Sequence, residues 1–218
     1  MRKQLQSHPG LRATLRWVAV GVLLLSVALV VWSVWPTKTL RQTLDFSDKN
    51  LAQIGFTSAQ QSALKEYHLA QITLEWPQDL RVGETGRITL SIEPQLAAGP
   101  ITVSQTLAID AQMDLAGLTF YPANEERTSL PAGQLLRLFW QVSAAQAGEY
   151  AGNAWLYIVF PDTTGASGSS GQGLPLSAQN LSIKVISLAG LDVTQVRILA
   201  ALGIAAAVLL MLIVVIKS

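Results

Sequence analysis

Residues 137–160 read RLFWQVSAAQAGEYAGNAWLYIVF, and the reading of this stretch decides the fold. It is rich in large apolar and aromatic side chains. It suits a membrane span, an aromatic binding surface or a buried hairpin. In its first half Leu136, Leu138, Trp140 and Val142 alternate with Arg137, Phe139, Gln141 and Ser143. That is the period of a strand, not of a helix. SAAQAGE, 143–149, interrupts the run with a turn containing Gly148. In the second half Ala154, Leu156, Ile158 and Phe160 alternate with Asn153, Trp155, Tyr157 and Val159. A membrane helix would have to place Arg137, Glu149 and the polar turn in hydrocarbon, which is costly. Two core strands joined as a β-hairpin avoid that cost, so the stretch predicts a hairpin.

The same texture extends on both sides. Strands are predicted at 68–76, ending at Pro77, at 87–93 after the RVGETG turn of 81–86, and at 101–109. A further segment at 112–121 follows, then 135–142, 150–160 and 181–186. Seven or so short strands between Gly, Pro, Asn and Asp turns point to an antiparallel sandwich. DTTGASGSSGQG, 162–173, is a Gly/Ser loop joining the last two strands. Residues 36–66 show no alternation and read as a stalk, with a short helix at 58–67 capped by Thr57 or Ser58.

Beyond the strand region lie two uncharged runs, WVAVGVLLLSVALVVWSVW at 17–35 and ILAALGIAAAVLLMLIVVI at 198–216. A bilayer core takes about 20 apolar residues in a helix, and both runs suffice. Trp17, Trp32 and Trp35 suit the headgroup level. The first run is also readable as a signal peptide cleaved near Ser26-Val27-Ala28, but it continues past that site to Trp35. Charged residues are only 13% of the chain, against about 25% in soluble domains, which agrees with spans.

Residues 1–16 carry Arg2, Lys3, Arg12 and Arg16 and no acid. Such a basic tail stays cytoplasmic. Two spans return 217–218 to the same side and place residues 36–197 outside the cytoplasm. The cytoplasmic ends then hold five of the 15 basic residues, and the outer segment holds the other ten with all 14 acidic ones, a charge of −4. That does not suit nucleic acid; the expected partners are the lipid bilayer and membrane-protein subunits. Small residues stripe the spans: Ala19, Ser26 and Ser33 every seven positions, Gly203 and Ala207 four apart, as are Ala201 and Ala205. Such stripes let helices approach closely, either these two or one from another subunit.

WQV at 140–142 followed by AGEYAG at 147–152 resembles the late hairpin of bacterial immunoglobulin-like domains, where an aromatic-rich strand leads through a Gly-containing turn into the next strand. WPQDLRVGE, 76–84, is similar to their opening, where a strand ends at Pro and a Val-Gly turn starts the next. The resemblance covers roughly 67–187 and implies a sandwich fold. With no cysteine in the chain there is no Cys…Trp…Cys spacing of the antibody type. The predicted fold class is mainly β: an immunoglobulin-like antiparallel β-sandwich at 67–187, a connection at 188–197, and two flanking transmembrane α-helices.

Chemistry is sparse. The lack of cysteine rules out thiolate sites, and a cupredoxin centre needs Cys with more than one His, whereas the outer segment has only His68. Glu125-Glu126 with Asn124 suggests calcium, but calcium collects six or more oxygens, and an exposed turn is the plainer reading. Asp110 and Asp114 read the same way. Asn180-Leu181-Ser182 is a glycosylation sequon. No cofactor and no enzymatic activity are expected. If Leu138, Trp140, Leu156 and Ile158 fill the core, Phe139, Trp155 and Tyr157 face the other side, as a partner-binding patch or covered sheet aromatics. The expected function is a non-enzymatic accessory or assembly subunit of a membrane complex; the alternative is a cell-surface module for a glycan or peptide.

Overall fold

The computed structural model describes residues 9–45, 54–95, 103–104, 106–161 and 173–216. The chain divides into a helical unit, to Pro36 and from Ser187, and a β unit, Thr37–Ile186.

In the helical unit, α1 (Pro9–Val34) and α3 (Val193–Ile216) are both long and apolar enough to cross a membrane. Both begin before the uncharged runs at 17 and 198. α3 starts five residues earlier because Asp192 and Gln195 form a reciprocal cap: the Gln195 N–H donates to Asp192 Oδ1 (2.7 Å), and the Asp192 N–H donates to Gln195 Oε1 (3.1 Å). This satisfies two donors at the helix start. The helices run antiparallel, with Ser33 near Arg197 and Ser26 against Gly203.

The β unit contains α2 (Ser58–Glu66) and ten strands: β1 (Thr39–Asp45), β2 (Leu69–Pro77), β3 (Asp79–Arg81), β4 (Thr85–Pro94), β5 (Ala108–Leu115), β6 (Thr119–Tyr121), β7 (Glu125–Ser129), β8 (Leu136–Ser143), β9 (Gly148–Val159) and β10 (Gly173–Ile186). They form two five-stranded sheets, in the orders β1-β2-β4-β8-β6 and β3-β10-β9-β5-β7. All pairings are antiparallel except β3 with β10. Between the sheets lie Ile88, Trp140, Ile109, Ile158 and Ile183, all fully buried. α2 opens with a capping box between Thr57 and Gln60, and Phe56, Leu64 and Tyr67 around it join the core. The buried Tyr67 hydroxyl accepts from the Leu107 N–H at 2.8 Å, so the ring is buried without an unpaired polar end.

The opening stretch is not a hairpin. β8 pairs with β4 and β6 in one sheet, and β9 pairs with β5 and β10 in the other. The short connection after Ser143 crosses from sheet to sheet. Alternation dictates which side chains point inward, and it is the same whether the next strand is a neighbour in the sheet or lies across the core. The stalk is corrected as well. Its residues 39–45 are β1, paired along the whole of β2 from Thr39↔Pro77 to Asp45↔Gln71. The third predicted strand, 101–109, starts instead at Ala108; 101, 102 and 105 are outside the described residues. Glu125–Ser129, read as a turn, is an edge strand on β5. The last strand begins at Gly173 rather than 181, and the rest of the Gly/Ser loop is outside the described residues.

Gly152 shows why β9 can lie so close to β5. It pairs with Leu115, and a Cβ at that position would overlap the Asp114 carbonyl oxygen.

Candidate functional site

Crossing between sheets splits the predicted aromatic patch. Phe139 lies on the outer face of the first sheet, 53% exposed, with the Arg87 guanidinium 5.6 Å from its ring centre. Trp155 and Tyr157 lie on the outer face of the second sheet, half-buried, their rings stacked at 6.4 Å and 19°. Across the ladder Trp155 meets Gln112 and Tyr157 meets Asp110. The three aromatics are therefore two sites, because each sheet turns its outer face away from the other.

The face around Phe139 holds more than the sequence suggested. Two in-register rows run across β1, β2, β4 and β8: Arg41, Glu75, Thr89 and Phe139 in one, and Thr43, Thr73, Ser91 and Arg137 in the next. Arg87 and Glu93 flank them on β4. All of these except Thr43 line a hollow of about 440 Å³. Arg41 Nε sits 3.6 Å from Glu75 Oε1, and Glu93 Oε2 accepts from Gln71 Nε2 at 2.7 Å. Arg87, Thr89, Ser91 and Glu93 were visible as the outward positions of a strand. Arg41 was missed because its segment shows no alternation: an edge strand with few buried positions carries no period-2 signal.

Between the sheets a separate cavity of about 30 Å³ is lined by Leu44, Leu74, Met113, Leu156, Ser177 and Gln179 among others. It has room for about one water and is far smaller than a ligand pocket of about 300 Å³.

The helical seam collects the small residues. Ala19, Ser26 and Ser33 of α1 are buried, as are Val193, Val196, Ala200, Ala207 and Val214 of α3. Spacings of three, four and seven are those of knobs-into-holes packing. Gly203 sits over Ser26, where a Cβ would overlap the hydroxyl. The Ser26 and Ser33 hydroxyls donate to Val22 O (2.8 Å) and Val30 O (2.9 Å) on their own helix, so neither is left unpaired in an apolar seam. Ala201 and Ala205, the other predicted small pair, are exposed. Arg197 Nη2 donates to Ser33 O at 3.1 Å, satisfying a carbonyl near the end of α1.

The remaining titratable residues do not assemble. No group of three His, Asp or Glu side chains suited to a metal occurs among the described residues. Glu126 is an inward position of β7, and the Asn124 side chain donates to Met113 O at 3.2 Å. The backbone N–H and hydroxyl of Ser104 both donate to Glu66 at 2.7 Å and hold its carboxyl below the usual range. His68 occupies a left-handed backbone position between α2 and β2 (φ 48°), and its carbonyl accepts from the Gln95 N–H.

The fold defines the class. The order β2-β4-β8 facing β10-β9-β5, with β3 parallel to β10, is the arrangement of immunoglobulin-like sandwiches. At the start of β9 the Tyr150 hydroxyl donates to Gln146 O at 2.9 Å, in the connection between the sheets; the geometry is that of the tyrosine corner found in such sandwiches. No protein-family model matches the chain, and no curated protein matches it. Among solved structures it is similar to the CARDB domain of the PF1109 protein of Pyrococcus furiosus, at 11% identity over 52% of this chain and 84% of that one, TM-score 0.30. It is likewise similar to a cohesin module of a Clostridium perfringens family 33 glycoside hydrolase, at 10% over 54% and 96%, TM-score 0.30. A third is PapD-like domain 7 of human CEP192, at 10% over 51% and 81%, TM-score 0.30.

Proposed function

We propose that the chain is a non-enzymatic two-span membrane protein that carries its immunoglobulin-like domain outside the cytoplasm, as an accessory or assembly subunit of a membrane complex. The observation behind this reading is the side-chain sorting on the helix pair. Small residues face the seam, while Leu24, Leu25, Leu202, Leu209 and Val215 point away from it. Large apolar side chains on the outside of a helix pair suit lipid rather than water. The basic tail at residues 1–16 supports cytoplasmic ends. The chain has no cysteine, so single cysteines report topology cleanly. In intact cells an impermeant maleimide should label Ser129→Cys, and should label Ser7→Cys only after lysis; the reverse pattern sinks the orientation. Purification in mild detergent should bring down a second membrane protein, and a lone monomer would count against the subunit role.

The stacked Trp155–Tyr157 pair, flanked by Asp110 and Gln112, supports a second reading: a surface module for a glycan or peptide. Half-exposed aromatic platforms beside polar groups suit such ligands. If so, the Trp155→Ala/Tyr157→Ala double variant loses ligand capture on a glycan or peptide array while keeping its fold; unchanged capture sinks that site.

A further inference from the structure

We propose that the hollow on the outer face of the first sheet binds an organic carboxylate, with the carboxylate on Arg137 and the apolar body against Phe139. The charges in the hollow are not balanced locally. Glu75 is engaged by Arg41, and Glu93 accepts from Gln71. Arg87 lies over the Phe139 ring, and Arg137 makes no hydrogen bond or ion pair among the described residues. The half of the face formed by β4 and β8 thus presents two guanidiniums on either side of one exposed ring. A guanidinium offers a planar fork that matches a carboxylate in two parallel hydrogen bonds.

A second observation points the same way. Thr73 lines the hollow and is 2% exposed, yet its hydroxyl has no hydrogen-bond partner among the described residues. A buried hydroxyl without a partner is uncommon and costly. Once the side chains covering it move aside, a ligand oxygen in the hollow supplies what it lacks. Thr89 and Ser91 add two more hydroxyls on the neighbouring strand. The volume, about 440 Å³, is in the range of small-ligand sites, roughly 300–1,000 Å³.

The test is calorimetric titration of the full chain in a non-ionic detergent with benzoate, inorganic phosphate and benzyl alcohol. Benzoate should bind saturably and more tightly than phosphate, which lacks the ring, or benzyl alcohol, which lacks the charge. Arg137→Gln should weaken benzoate by about tenfold, the loss of one charged hydrogen-bonding partner. Phe139→Ala should weaken it by about threefold, and so should Thr73→Val. Thr73→Val keeps the side-chain shape and removes an unpaired hydroxyl, so its thermal unfolding midpoint should not fall, which separates binding from folding. Lys184→Gln, on the other sheet, should leave affinity unchanged. Absence of saturable benzoate binding, unaltered affinity in Arg137→Gln, equal affinity for phosphate and benzoate, or an equal loss in Lys184→Gln would each overturn the proposal.

Discussion

Tyr150 shows how one hydroxyl can hold a connection in place. The chain leaves β8, crosses the sandwich and enters β9, and the Tyr150 hydroxyl ties the crossing back to Gln146 O. Replacing Tyr150 by Phe removes that hydrogen bond and little packing. The expected loss is about 1 kcal/mol of unfolding free energy, measurable by chemical denaturation. A loss near zero would mean that water replaces the hydroxyl at no cost. The sequence shows Tyr150 as the middle of AGEYAG and the resemblance it carries, but the acceptor is visible only in the folded chain. The same is true of Arg137 and Phe139. Their outward positions follow from alternation, whereas their neighbours Thr89 and Ser91 follow from pairing with β4.

Helix α2 illustrates a local element that sequence describes well. Of the two caps expected from sequence, Thr57 or Ser58, it is Thr57 that caps the helix, reciprocally with Gln60: the Gln60 N–H donates to Thr57 Oγ1 at 3.3 Å and the Thr57 N–H donates to Gln60 Oε1 at 2.9 Å. Thr57→Ala should cost about 1 kcal/mol. Because Phe56, Leu64 and Tyr67 tie this helix to the sandwich core, the loss should appear in the cooperative unfolding of the domain. A separate early transition in thermal denaturation would show instead that α2 melts alone. Strand β1 is the counterexample. Its positions 39–44 are exposed or half-buried, so no apolar alternation marks it. Its pairing with β2 depends on backbone hydrogen bonds that any sequence can make.

Across the whole chain, the first and last segments form one helical unit although about 160 residues separate Ser33 from Arg197. The seam between them is directly testable. A Cβ placed on Gly203 lies 3.3 Å from the Ser26 Cβ, close to the separation of about 3.8 Å in disulfides. Ser26→Cys/Gly203→Cys should therefore oxidise to an intrachain disulfide that migrates as monomer on a non-reducing gel. A disulfide-linked dimer would assign these small residues to a contact between subunits. With no native cysteine to compete, either product is unambiguous.

The sequence by itself determined the class of the protein: two apolar helices, a β domain between them, and the side chains of 137–160 that turn inward. These are local properties, set by hydrophobic runs and by the two-residue period of a strand. Only the tertiary structure decided that 137–160 bridges two sheets, that Phe139 parts from Trp155 and Tyr157, and that part of the stalk is a strand. Each of these depends on which distant backbone supplies the hydrogen bonds, and side-chain alternation is blind to that choice.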